Sequence, residues 1–216
     1  MTITITVLYD NEVLSSPLRA DWGFAVLIDD AGKRVLFDAG ASGDILLHNA
    51  RVLGEDLSTI SACVLSHWHW DHAGGLNEVA RLAPRARYFL PPGEATAWPQ
   101  VRATVVAGEP VQVSAHVSST GLVDGVEQAL VVMSGVSALL ITGCAHPGVP
   151  ALLAAATRIA RPSGLLGGLH GFAEYECLQD LAHVYACHCT QHKREIAAAF
   201  PEAVRTCGVG LRLTLE

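Results

Sequence analysis

Three imidazoles and a carboxylate fall within six residues in His67-Trp68-His69-Trp70-Asp71-His72. Residues two apart in a loop can point the same way, so His67 and His69 can grip one metal ion while Asp71 and His72 turn toward a second. Imidazole and carboxylate suit Zn, Fe or Mn, and a site without thiolates keeps a position open for water more readily than a closed four-cysteine site. The set therefore favours catalysis over structural cross-linking. The bland account of a histidine, a surface residue or a core group satisfied by backbone, fits His48, His116, His183 and His192, which stand apart from any such cluster. It fits three imidazoles and a carboxylate in one loop poorly.

The elements that must position this cluster follow a repeating grammar of short apolar strand, histidine-bearing loop and helical stretch. Ala62 to Ser66 leads into the cluster and then into Leu76 to Leu82. Ala138 to Thr142 leads into Gly143-Cys144-Ala145-His146 and then Val149 to Ile159. Two weaker copies run from Gly164–Gly167 through His170 to Ala173–Leu181, and from His183–Ala186 through Cys187-His188-Cys189 to Lys193–Phe200. Strand, loop, helix is α/β grammar, and in such sheets ligands gather in the loops at strand C-termini. His146 and His188 share that post-strand position, which raises their standing as ligands; His170 is the weakest of the three.

The N-terminal part reads as β-rich. Ile3, Ile5 and Val7 alternate with Thr2, Thr4 and Thr6, the period of a half-buried strand. Phe24 to Ile28 and Arg34 to Phe37 flank Asp29-Asp30-Ala31-Gly32, which supplies hairpin chemistry. Pro91-Pro92-Gly93 and Trp98-Pro99 mark a loop, while Val101 to Val113 and Ala129 to Met133 read as strands. No low-complexity linker divides the 216 residues, so one domain spanning 1–216 is expected.

Composition narrows the partners. A formal charge of -7, with 14 Lys and Arg, offers no concentrated basic footprint for nucleic acid or anionic membrane. No run of apolar residues is long enough to span a bilayer, and the N-terminus lacks signal-peptide features, so a cytoplasmic protein acting on a small molecule is expected. Six cysteines with no export signal read as free thiols.

The run His-x-His-x-Asp-His at 67–72 resembles the signature of the metallo-β-lactamase superfamily. The resemblance covers nearly the whole chain: Leu36-Phe37-Asp38-Ala39-Gly40 is similar to the early Asp-x-Gly segment, His146 to the third histidine and His188 to the last. It implies an α/β (α+β) fold, an αββα sandwich of two mixed sheets flanked by helices. It further implies one or two divalent transition metal ions, Zn foremost with Fe or Mn as alternatives. His67, His69 and His146 would hold one ion, Asp71, His72 and His188 the other, and Asp38 would orient a ligand from behind. Within the superfamily, Thr142-Gly143-Cys144-Ala145-His146-Pro147-Gly148, Gly167-Gly168-Leu169-His170 and His188-Cys189-Thr190 are similar to the branch named for dihydropterin ribofuranosyl-aminobenzene phosphate synthase. One departure stands out. The superfamily usually carries a metal-bridging aspartate after the strand that follows the third histidine, whereas here Gly164–Gly167 runs into Gly168-Leu169-His170. Either His170 ligates instead or the second position is weak. Glu174 and Glu176 follow closely, but read as an acidic first helical turn.

The reaction these residues suit is attack by a metal-bound hydroxide on a small ester, lactone or phosphoester, with Asp71 accepting or relaying the proton. Lys193 and Arg194 could meet an anionic substrate, though a charged pair opening a helix is more often solvated. The rivals are a pterin-related transferase and a non-catalytic metal-binding or redox-sensing protein built on Cys187-His188-Cys189. His69 disfavours diiron redox chemistry, which would be expected to place a glutamate there. The short tail after His188 disfavours a glyoxalase-type thioesterase.

Overall fold

The computed structural model describes residues 2–94 and 101–216; the expected loop residues Trp98 and Pro99 lie outside them. Two mixed sheets carry the chain. The first contains β1 (Ile3–Tyr9), β2 (Ala25–Asp30), β3 (Lys33–Phe37), β4 (Ala62–Val64), β5 (Arg87–Leu90), β6 (Arg102–Val105) and β13 (Arg212–Leu215), in the order β13-β1-β2-β3-β4-β5-β6. The second contains β7 (Val111–Gln112), β8 (Val117–Val123), β9 (Glu127–Ser134), β10 (Ser137–Thr142), β11 (Gly164–Gly168) and β12 (His183–Cys187), in the order β12-β11-β10-β9-β8-β7. Strands β3 to β6 are mutually parallel, as are β10 to β12, and the remaining pairs are antiparallel.

Alternation of side chains across the strands distributes the core into layers. Ile5, Val7, Phe37 and Val64 meet Leu130, Val132 and Ile141 between the sheets. On the outer side of the first sheet, Leu27, Leu36 and Cys63 pack with Leu46 of helix α1 (Gly43–Val52) and Leu76 and Val79 of helix α3 (Leu76–Leu82). On the outer side of the second, Val131, Leu140 and Leu165 pack with Leu152 of α4 (Val149–Thr157) and Ile196 of α5 (Lys193–Ala199). This is the expected αββα sandwich. No helix among the described residues is long and apolar enough to cross a membrane.

Three local expectations change. Strand β1 is not half-buried: from Ile5 to Tyr9 both faces are covered, because α1 and the second sheet lie on opposite sides of it. Of the alternating threonines, Thr6 is buried and Thr4 half-buried within β1, while Thr2 precedes the strand and is exposed. Val101 to Val113 divides between the two sheets as β6 and β7. The segment Ala173–Leu181 makes only a 3-10 turn at Tyr175–Leu178, so Glu174 and Glu176 open no α-helix.

The hairpin between β2 and β3 turns at Ala31 and Gly32, both with positive φ, as a two-residue primed turn requires. Behind the cluster, Asp71 and His72 lie on a single helical turn, α2 (Trp70–Ala73), rather than in open loop. A Cβ at Gly74 would overlap the Ala41 carbonyl, so only glycine lets this turn close against the loop that follows β3.

Candidate metal centre

The C-terminal ends of β3, β4, β10, β11 and β12 deliver Asp38, His67 to His72, His146, His170 and His188 to one end of the sandwich. Four of these post-strand positions hold a non-glycine residue in the left-handed region: Asp38 (φ 59°), Ala145 (58°), His170 (48°) and His188 (48°). Each such residue costs on the order of 1–3 kcal/mol, and the surrounding fold must impose it. The strain lies where the chain turns sharply off a strand to aim a side chain into the site.

Two sets of donor atoms converge there. Asp71, His72, Cys144 and His188 offer ligand atoms all within 4.8 Å of one another, and so do His67, Cys144 and His146. His69 belongs to neither set, but its Nδ1 lies 3.2 Å from His146 Nε2 and its ring centroid 4.5 Å from that of His67. His170 stands at the rim, exposed, with its ring 5.0 Å from that of His146 and outside both sets.

The outward nitrogens of three imidazoles are held by partners that fix the tautomer. Asp38 accepts from Ser66 N (2.7 Å) and Ser66 Oγ (2.8 Å), and its Oδ2 lies 2.7 Å from His72 Nδ1. Because the Ser66 hydroxyl proton goes to Asp38, Ser66 Oγ is the acceptor for His67 Nδ1 at 2.9 Å. Asn11 Oδ1 lies 3.1 Å from His188 Nδ1, while Asp10 Oδ1 and Asn11 Nδ2 bind the His188 backbone N–H and C=O. With Nδ1 protonated in all three, each Nε2 presents a lone pair inward. His67 and His188 are 4% and 3% exposed, and their Nε2 atoms make no hydrogen bond. A buried nitrogen acceptor aimed at other donors without a proton to accept is what a cation site requires. The residues therefore fit a divalent metal ion.

Electrostatics agree with that fit. Burial, reinforced by neighbouring imidazoles, holds His67 far below the usual histidine range, lowers His72 to about 3 and lowers His146 to about 4. All three are thus neutral at physiological pH, the state in which an imidazole can ligate. Burial would raise Asp71, but the adjacent His188 and His72 outweigh it and keep the carboxylate ionised. Burial pushes Asp38 up to about 8, against the pull of the hydrogen bonds it accepts from Ser66. The neighbouring Cys189 thiol and burial raise Cys144 well above the thiol range.

Several members of this site carry no sequence signal. Glu127, buried at the start of β9, accepts from the backbone N–H groups of Gly143, Cys144 and Ala145 through Oε1 (2.9–3.1 Å) and of His146 through Oε2 (2.9 Å). Burial pushes its carboxyl up to about 7 against the pull of those N–H groups. Gln128 ties the sheets beneath the cluster, donating to Leu65 O at 2.8 Å while its backbone N–H donates to Ser66 O. Trp22 Nε1 donates to Asp71 Oδ2 at 2.9 Å. Lys193 is engaged with Glu12 at 2.9 Å. Cys187 points into the core between the sheets, whereas Cys189 lies beside Cys144, so Cys187-His188-Cys189 does not converge on one point. The remaining single histidines have other neighbours: His48 with Pro17 O and His116 with Asp30.

A cleft of about 380 Å³ opens over His67, His69 and His146, walled by Trp68, Pro91, Pro92 and Val126. The sequence model of the metallo-beta-lactamase superfamily matches residues 21–156, a span holding both sheets' central strands and the first five candidate ligands. This chain belongs to the metallo-beta-lactamase superfamily. Among relatives, the uncharacterized protein MJ0448 of Methanocaldococcus jannaschii is 27% identical over 203 residues, covering 77% of this chain and 78% of its own length. The 7,8-dihydropterin-6-methyl-4-(beta-D-ribofuranosyl)-aminobenzene-5'-phosphate synthase of the same organism is 33% identical over 75 residues, covering 33% of this chain and 26% of that protein. Among solved structures, Tm1679, described as a metal-dependent hydrolase of the beta-lactamase superfamily, superposes with a TM-score of 0.81 at 24% identity over 98% of each chain. At that identity the likeness establishes the superfamily fold.

Proposed function

We propose that this superfamily member is a metal-dependent hydrolase of small esters or lactones, with two metal positions. The observation that carries the reading is the pair of donor sets, His67, Cys144 and His146 against Asp71, His72, Cys144 and His188, with the buried Nε2 atoms of His67 and His188 unbonded between them. His67, His69 and His146 would hold one ion; Asp71, His72 and His188 would hold the other. A cation bound there lowers the pKa of its water toward neutrality and polarises an electrophilic oxygen.

The chain's own groups do the rest. Ser66, Asp38 and Asn11 keep three imidazoles in the ligating tautomer. Asp71 Oδ2, anchored by Trp22, stays ionised and is the group able to take a proton beside the reacting bond. Trp68, Pro91, Pro92 and Val126 give the cleft an apolar wall, and among the described residues no lysine or arginine lines it, which favours a neutral ester or lactone over a phosphoester.

Metal-depleted protein reloaded with Zn and assayed against aryl esters, lactones and phosphodiesters tests this. Ester or lactone hydrolysis that appears with metal and is lost with chelator is expected. Protein that takes up no stoichiometric transition metal ends the proposal. Turnover that instead requires a pterin and a phosphorylated sugar donor assigns the chain to the transferase reading, which the partial match to the dihydropterin synthase motivates.

A further inference from the structure

Directly after β11 stand Leu169 and His170 and no carboxylate; His170 is exposed at the rim, and Glu174 and Glu176 further on join neither donor set. A different residue occupies the space between the two donor sets. Cys144 is common to both: its Sγ lies within 4.8 Å of the ligand atoms of His67 and His146 on one side and of Asp71, His72 and His188 on the other. Its Sγ is 3.1 Å from His72 Nε2, the nitrogen left free once Asp38 takes Nδ1. The backbone that carries it is fixed by Glu127, whose Oε1 accepts the Cys144 N–H itself at 2.9 Å and those of the residues on either side. Cys144 is 2% exposed, and its thiol lies against His72 on one side and the Cys189 thiol on another.

We propose that Cys144 is a metal ligand shared by both positions, a bridging thiolate in place of the missing carboxylate. The inference rests on the two-position reading above and adds the group that couples the positions. As the first sulfur–metal bond forms, the thiol proton leaves to water, and the second lone pair of the thiolate remains for the other ion. A soft bridging donor also biases both positions toward Zn or Co over Mn.

Cobalt(II) provides the test without any assay of turnover. Metal-free protein titrated with cobalt is expected to develop a near-ultraviolet sulfur-to-cobalt charge-transfer band that keeps rising to two equivalents. The paramagnetic resonance signal of the first equivalent should collapse as the second couples to it through sulfur. Cys144→Ser should take up cobalt about 10- to 100-fold more weakly, without the band and without the coupling, while Cys189→Ser should keep both. Should Cys144→Ser fail to fold, the wild-type and Cys189→Ser spectra decide between a bridging Cys144 and a ligating Cys189. Two equivalents bound with no charge-transfer band, or a band that persists in Cys144→Ser, overturns the bridge while leaving the metal centre intact. A band complete at one equivalent with two uncoupled ions also overturns it. Failure to bind cobalt at all removes the metal-centre reading itself.

Discussion

Asn11 Oδ1 stands 3.1 Å from His188 Nδ1 across 177 residues of sequence, and the Gly23 N–H donates to the same oxygen at 3.2 Å. The loop after β1 thus sets the ring orientation of a histidine delivered by β12, at the far end of the other sheet. Replacing Asn11 by Leu removes the acceptor that holds Nδ1 protonated and frees the ring to flip. Metal affinity at the position served by His188 is expected to fall about 10- to 100-fold while the far-ultraviolet dichroism is unchanged. A metal titration of the variant checks this; wild-type affinity would show that Asn11 does not orient the ligand.

Glu127 makes a second case for positioning from a distance. Four backbone N–H groups of the loop carrying Cys144 and His146 converge on its two oxygens, and a glutamine there replaces one acceptor with a donor. Glu127→Gln is expected to cost about 2–3 kcal/mol in unfolding free energy, the price of leaving a buried N–H facing another donor. Urea denaturation of the metal-free variant reads this directly. Metal affinity should fall with it, since the loop then has no fixed seat.

These two residues also mark the limit of what the sequence made legible. His67, His69, Asp71 and His72 could be read as one cluster because they stand within six residues of each other along the chain. His146 and His188 followed from the repeated strand-then-loop pattern, because strand C-termini in parallel sheets share one edge. Glu127 and Asn11 touch their targets only through tertiary packing, and neither lies in a motif. Cys144 was visible inside Gly143-Cys144-Ala145-His146, but a buried cysteine in a chain of this size reads first as a small apolar residue. The sandwich itself followed from the resemblance, whereas the alternating β1 misled, since alternation reports side-chain polarity and not whether a helix covers the second face.

His170 separates ligation from proximity. Its ring lies 5.0 Å from that of His146, yet it joins neither donor set, and its backbone carbonyl accepts from Gln191 N at 2.9 Å. His170→Ala is expected to bind metal with wild-type stoichiometry and affinity. If His170 meets the substrate at the rim, turnover falls while metal content holds. Loss of one equivalent of metal would instead make it a ligand.

At the opposite end of the sandwich, Asp30 closes β2 and joins the sheets. Its Oδ2 accepts from Ser114 Oγ at 2.6 Å and from the His116 N–H at 3.1 Å, and its Oδ1 lies 2.7 Å from His116 Nδ1. Burial alone would raise its pKa, but these hydrogen bonds outweigh it and hold the carboxyl below 3.8. A carboxylate whose pKa is lower folded than unfolded contributes stability that is present above the unfolded value and is lost as pH falls through the folded one. Asp30→Asn should therefore be less stable than wild type by about 1–3 kcal/mol near neutral pH. The gap should close as both proteins are acidified below 3.8, because the wild-type carboxyl then becomes neutral as well. Urea unfolding of the two proteins in parallel, with metal removed so that the distant site adds no pH dependence of its own through ligand release, measures the difference at each pH. A gap that stayed constant on acidification would mean that the ionised carboxylate is not what joins the sheets there.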